Sequence, residues 1–187
     1  MTNRKLLLIC GSLRVGSSNA ALLQTVQEIL LEGVVADLYD GLAKLPHFSP
    51  DDDSGDKPVP PAVGDLRERI RVADALLFST PEYAGGLPGA FKNLLDWTVG
   101  GGEMYGKSVA WLNASAPASP TGGAEARISL RKVLGYVGVE IVEDACVRIP
   151  VVRQAIGADG RVYDPSLRKT LLLSVDTLLA YTGLNRP

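Results

Sequence analysis

Ser12, Arg14, Ser17, Ser18 and Asn19 are crowded into the loop 11–19, between the apolar run 6–10 and a helical pattern that begins near Ala20. Hydroxyls and a side-chain amide can donate hydrogen bonds, and a guanidinium offers a permanent charge in a fork that matches phosphate oxygens. A helix start adds unpaired backbone N–H groups and the positive end of the helix dipole. Residues of these types in this place predict a phosphate cradle. The loop has neither the Walker A pattern nor the three-glycine dinucleotide fingerprint. Taken alone it also reads as an N-capped helix after a core strand, with Arg14 solvated.

A second stretch has complementary chemistry. The apolar run 75–80 predicts a fully buried strand, and Pro81-Glu82-Tyr83-Ala84-Gly85-Gly86-Leu87-Pro88-Gly89 follows it directly. Pro81 fixes its own φ and keeps Thr80 extended, so that the strand ends with its next N–H groups turned toward whatever lies above. Tyr83 presents a flat amphipathic ring, and the Gly85-Gly86 pair lets backbone approach a planar ligand. Two simpler roles stand beside these: Tyr83 as a core aromatic with a wet hydroxyl, and Glu82 as a cap or ion-pair partner near a helix start. In an open parallel sheet the two loops lie side by side, in the crevice outside the carboxyl ends of the strands where ligands bind.

Gly11-Ser12-Leu13-Arg14 with Ser17 and Asn19, followed by Pro81-Glu82-Tyr83, Pro88-Gly89, Lys92-Asn93 and Asp96-Trp97, closely resembles the NADPH-dependent FMN reductase family, which includes quinone, azo-dye and chromate reductases. The likeness extends to Leu45-Pro46-His47-Phe48 and to the Gly122-Gly123 pair. It implies an α/β, flavodoxin-like three-layer sandwich: a five-stranded parallel sheet of order 2-1-3-4-5 with helices on both faces, in one FMN-binding domain spanning 1–187. It also implies FMN as cofactor, NADPH as donor with NADH as a second one, and a homodimer or homotetramer. The site residues it carries over are Ser12, Arg14, Ser17, Ser18, Asn19 and Ala20 for the phosphate, and Pro81, Glu82, Tyr83, Ala84, Gly85 and Ser115 for the ring. Lys92, Asn93, Asp96 and Trp97 match the family helix that lies near the subunit interface, with structural support as the reading for Asp96 and Trp97.

Two departures from the family pattern stand out. The residue after Pro-Glu-Tyr is usually Asn and here is Ala84, which removes an amide able to orient the ring or the incoming substrate. The turn after the fourth strand, 113–123, is longer and richer in proline than usual; Ser115, Ser119 and Thr121 are all candidates for its ring-side hydroxyl.

The chemistry expected of such a protein belongs to the flavin. The sequence has no metal constellation, and its one histidine, His47, lacks a partner for a nucleophilic triad. Hydride would pass from the nicotinamide to the flavin and on to a small-molecule acceptor (free flavin, quinone, azo compound or chromate) in a ping-pong cycle through one pocket. A flavodoxin-like electron carrier and a non-catalytic flavin-binding sensor are the alternatives. The carrier would want a Thr-Gly-Asn phosphate loop and a strongly acidic surface.

Composition narrows the field further. At 187 residues the chain fits one α/β domain. A formal net charge of −2 without a Lys/Arg-rich block argues against nucleic acid as partner. The absence of a membrane-length apolar run and of a signal-peptide pattern predicts a cytoplasmic protein with no membrane partner. Cys10 and Cys146 read as small buried hydrophobes. Apolar periodicity predicts strands over 5–10, 34–39, 75–80, 108–114 and 140–148, and helices over 19–31, 62–73, 88–98, 123–136 and 166–181. The Asp- and Pro-rich stretch 49–58 is expected to be a mobile, solvated connection, with a lid over the flavin edge as the sharper alternative.

Overall fold

In a computed structural model, which describes residues 3–116 and 119–184, strands and helices alternate along the chain. The strands are β1 (Arg4–Cys10), β2 (Val34–Leu38), β3 (Ala75–Ser79), β4 (Ser108–Ser115), β5 (Glu140–Ile141) and β6 (Val147–Pro150). The helices are α1 (Ser18–Ile29), α2 (Pro61–Val72), α3 (Gly89–Asp96), α4 (Ala124–Tyr136) and α5 (Pro165–Leu184). All pairings are parallel, in the order β2-β1-β3-β4-β5, with β6 also on β4. This is the flavodoxin-like order expected.

Strand period explains why the central strands read as unbroken apolar runs. Along β1, Leu7 and Ile9 face one core, with Leu66 and Ile70 of α2 and Phe91 and Leu95 of α3. Leu6 and Leu8 face the other, with Leu22, Leu23 and Val26 of α1 and Leu171, Val175 and Leu178 of α5. Both faces of the sheet are covered, so β1 is apolar at each position from Leu6 to Ile9 and β3 from Ala75 to Phe78. Each fully buried Leu or Ile contributes roughly 1.5–3 kcal/mol over its exposed state, which makes the central sheet a rigid platform for the loops above it.

Three expectations need correction. The strand expected over 140–148 is two strands. Between the pairs Val109↔Ile141 and Leu112↔Val147, three steps along β4 answer six along its partner, and the excess is taken up by a 3₁₀ turn at Glu143–Ala145. That turn keeps Glu143 and Asp144 in solvent while Val142 and Ala145 stay in the core, and Ser174 Oγ of α5 donates to Ala145 O at 2.6 Å. The stretch 49–58 is not a merely solvated connection. Arg67 Nη2 reaches both carboxylate oxygens of Asp53 at 2.8 and 2.7 Å, and the guanidinium also donates to Trp97 O at 3.0 and 2.8 Å. Side-chain exposures of only 12% and 8% for Arg67 and Asp53 make this a buried pair that fastens the segment to α2 and α3. Finally, α3 begins at Gly89, with Pro88 as its cap residue rather than its first residue.

Candidate functional site

The carboxyl ends of β1, β3 and β4 converge because their registers are level: Cys10 pairs with Ser79, and Ser79 with Leu112. Gly11 N donates to Ser79 O at 2.8 Å, and a Cβ at Gly11 would stand 2.5 Å from Thr80 Oγ1, so only glycine lets the two loops start this close.

The 12–20 loop then turns into α1. Ser17 is the N-cap; its Oγ accepts from Asn19 N at 3.2 Å and its carbonyl from Ala21 N at 2.9 Å. The N–H groups of Ser18 and Ala20 have no acceptor among the described residues. Ser12 Oγ accepts from Arg14 N at 3.2 Å, and Arg14 is exposed. Asn19, 4% exposed, serves a structural purpose. Its Oδ1 accepts from Ser79 Oγ at 2.9 Å and from Ala114 N at 3.2 Å, tying α1 to the ends of β3 and β4. Because Ala114 N can only donate, the amide oxygen is fixed in that direction.

On the neighbouring loop, Tyr83 and Gly86 exchange two backbone hydrogen bonds of 3.0 Å, closing a hairpin with Ala84 and Gly85 at its tip. Their φ values of 49° and 72° are those of a type I′ turn. Left-handed φ is tolerated by Asn far better than by Ala, so the Asn that the family resemblance leads one to expect at position 84 would suit this turn better than Ala84. Tyr83 is 48% exposed, so it is not a core aromatic, and its hydroxyl lies 3.4 Å from Ser12 Oγ, bridging the two loops. Pro81 is half-buried behind this tip, and its carbonyl accepts from Thr80 Oγ1 at 3.2 Å.

The Glu82 side chain points elsewhere. Its Oε2 accepts from Glu125 N at 3.0 Å and Ala126 N at 3.3 Å, and its Oε1 from Thr121 Oγ1 at 2.8 Å. It thus caps α4 at its dipole-positive end, leaving the backbone at Glu82, Ala84 and Gly85 and the ring of Tyr83 as what this segment offers a ligand. Of the three candidate hydroxyls on the 113–123 turn, Thr121 is committed to Glu82, and Ser119 Oγ accepts from Gly122 N at 3.1 Å. Ser115 accepts from Arg148 Nε at 2.9 Å and lines a cavity of about 300 Å³ together with Arg14, Ser18 and Arg153. Pro117 and Ala118, in the same turn, lie outside the described residues.

Of the remaining residues singled out in the sequence, Asn93 and Trp97 are supports. Asn93 Oδ1 accepts from Phe48 N at 2.8 Å, while Asn93 Nδ2 and Trp97 Nε1 both donate to Pro46 O, at 2.9 and 2.8 Å. Phe48 packs edge-on against Trp97. The segment 45–48 and α3 are therefore one fastened unit. Lys92 and Asp96 pair at 2.6 Å on the outer face of α3, and His47 is exposed. Both cysteines are half-buried rather than fully so, and burial raises both thiols, that of Cys146 to about 12.

Arg153 is the residue that sequence reasoning missed. It stands on the loop after β6, and its Nη2 lies 4.0 Å from where a Cβ on Gly16 would be. It carries no local signature; only the folded register of β6 on β4 brings it to the 12–20 loop.

The donor set fits the anionic end of a flavin mononucleotide. Free N–H groups at a helix start, two hydroxyls and exposed arginine stand at one end of the crevice, and an aromatic-flanked hairpin stands at the other. An open sheet of order 2-1-3-4-5 with such loops at its β1/β3 switch point defines a flavodoxin-like flavin-binding protein.

Residues 4–153 match the NADPH-dependent FMN reductase family, and the chain belongs to it. It is 37% identical to the NAD(P)H-dependent FMN reductase of Pseudomonas aeruginosa over 176 residues, covering 93% of this chain and 92% of that one. It is 31% identical to a 2-hydroxy-1,4-benzoquinone reductase of Burkholderia over 180 residues, covering 95% of each. Among solved structures, the flavoenzyme NAD(P)H:acceptor oxidoreductase FerB of Paracoccus denitrificans matches with a TM-score of 0.82 and 29% identity, over 97% of this chain and 98% of that one. The protein is accordingly an oxidoreductase with FMN as its cofactor and NAD(P)H as its reductant. No helix of the described residues is long and apolar enough to cross a membrane.

Proposed function

We propose that the chain is a single reductase domain that passes electrons from NADPH, with NADH as a second donor, to a small-molecule acceptor of the quinone or free-flavin class, by a ping-pong mechanism. The observation that carries this reading is the convergence of the 12–20 loop, the Tyr83 hairpin and Ser115 at one end of the sheet, joined by the contact between Ser12 and Tyr83. Kinship with a benzoquinone reductase supports quinone as the first acceptor to try. FMN, when bound, supplies the centre that accepts a hydride from the nicotinamide and hands the electrons on.

The chain's own residues bind and orient. Ser12, Ser18 and Arg14, with the N–H groups of Ser18 and Ala20, hold the phosphate; Ser17 and Asn19 shape that loop from behind through the cap and the tie to β3 and β4. The backbone at Glu82, Ala84 and Gly85, the ring of Tyr83 and the Ser115 hydroxyl border the isoalloxazine, with Pro81 fixing the direction in which the segment leaves β3. One open crevice serves donor and acceptor in turn, because Tyr83, Ala84 and Gly85 are all exposed. That open face is also where a second copy of the chain would sit in a homodimer or homotetramer. We place the enzyme in the cytoplasm, where the nicotinamide donor is available.

Initial rates with NADPH varied at several fixed benzoquinone concentrations test the mechanism. Parallel double-reciprocal lines are expected from two substrates that share one crevice in turn; intersecting lines would show that both bind together and would overturn the ping-pong reading.

A further inference from the structure

We infer that Arg153 is a second arginine for the 5′-phosphate of FMN, closing the anion site from the side opposite the 12–20 loop. The inference rests on the reading that this loop holds the phosphate. Three observations lead to it. The Arg153 guanidinium hangs over Gly16, within 4.0 Å of a Cβ placed there, and it lines the same cavity of about 300 Å³ as Arg14, Ser18 and Ser115. The backbone beneath it is held: Val151 N donates to Ser115 O at 3.1 Å, Ala155 N to Val152 O at 2.9 Å and Ile156 N to Arg153 O at 3.2 Å. The long side chain therefore swings from a fixed base beside the start of α1.

Charge supplies the third observation. Among the described residues neither Arg14 nor Arg153 forms an ion pair, although most other arginines of the chain do. Two unpaired guanidiniums beside the positive end of a 12-residue helix repel one another and the dipole. A dianion seated on the N–H groups of Ser18 and Ala20 attracts both guanidiniums and the dipole and so offsets these repulsions, and a phosphate offers enough oxygens for a forked contact from either side. The phosphates of the nicotinamide donor share this chemistry. We assign Arg153 to the flavin because its cavity is bounded by Arg14 and the first turn of α1 rather than by the open face beside Tyr83.

Titrations of FMN and of riboflavin, which lacks the phosphate, into wild type, Arg153→Gln and Arg153→Lys test the assignment. For Arg153→Gln the FMN Kd is expected to rise about tenfold while riboflavin changes by less than about twofold, the loss of one charge-assisted phosphate contact. Arg153→Lys should recover part of the loss, keeping the charge without the fork. FMN affinity unchanged in Arg153→Gln, or FMN and riboflavin weakened alike, would overturn the assignment. So would a change confined to the KM for NADPH relative to NADH, which would move Arg153 to the donor. Wild type that binds FMN no better than riboflavin would instead defeat the phosphate reading of the 12–20 loop itself, and the inference with it.

Discussion

The two loops that make the crevice are built in opposite ways. The 12–20 loop is anchored from behind: buried Asn19 ties it to β3 and β4, Ser17 caps its helix, and Gly11 presses against Thr80. The 81–86 loop reaches out as a hairpin whose exposed tip, Ala84-Gly85, is closed by the paired backbone of Tyr83 and Gly86. The first design gives a fixed array of donors, which suits a phosphate whose position must not vary. The second gives an adjustable aromatic rim, which suits a ring that must admit two different substrates in turn. The contrast predicts that substitutions in the first loop act on stability and flavin affinity together, whereas those in the second separate the two.

Asn19→Ala should show the largest effect. It leaves Ser79 Oγ and Ala114 N without their acceptor, which costs about 2–3 kcal/mol of stability and loosens the loop enough to weaken FMN binding as well. Urea unfolding with a parallel FMN titration checks this; a loss of affinity without a loss of stability would mean that Asn19 acts on the flavin directly. Glu82→Ala removes the acceptor for two N–H groups at the start of α4 and should cost about 1–2 kcal/mol, with FMN affinity nearly unchanged. Strong weakening of FMN binding in that variant would show that the carboxylate serves the site after all.

Tyr83→Ala reverses the pattern. Stability should hold, because the ring is half exposed, while flavin affinity falls about five- to tenfold and Tyr83→Phe retains most of it. An equal loss in both variants would assign the effect to the hydroxyl and its contact with Ser12. Ala84→Asn is the mildest: relieving a left-handed alanine should raise stability by about 0.5 kcal/mol, read as a small rise in Tm. A fall in Tm would indicate that the tip is not in its I′ conformation when free of ligand.

The legible parts of the sequence were those in which one local pattern has one structural answer. The runs 6–10 and 75–80 are too short for helices and bounded by turn residues, which points to strands buried on both faces, and the glycine-serine loop before a helical period marks a helix start. Illegible were the features that depend on distant registers. The break at Glu143–Ala145 arises because Ser174 of α5 and the core positions Val142 and Ala145 act together, none of which periodicity within 140–148 reveals. Asp53 reads as one more acidic loop residue until Arg67 is found opposite it. Glu82 sits inside a recognisable motif, yet its carboxylate serves a helix that begins 42 residues later in the chain. Arg153 belongs to the same class, a residue whose partner loop lies at the other end of the sequence.

The most direct test of the account is an anaerobic absorbance titration of the FMN-loaded protein with NADPH and then NADH, followed by a quinone. Bleaching of the flavin band by the donor and its return on adding the acceptor are expected. Flavin that binds but is bleached by neither nicotinamide would contradict it, and would recast the crevice as the seat of a carrier or a sensor.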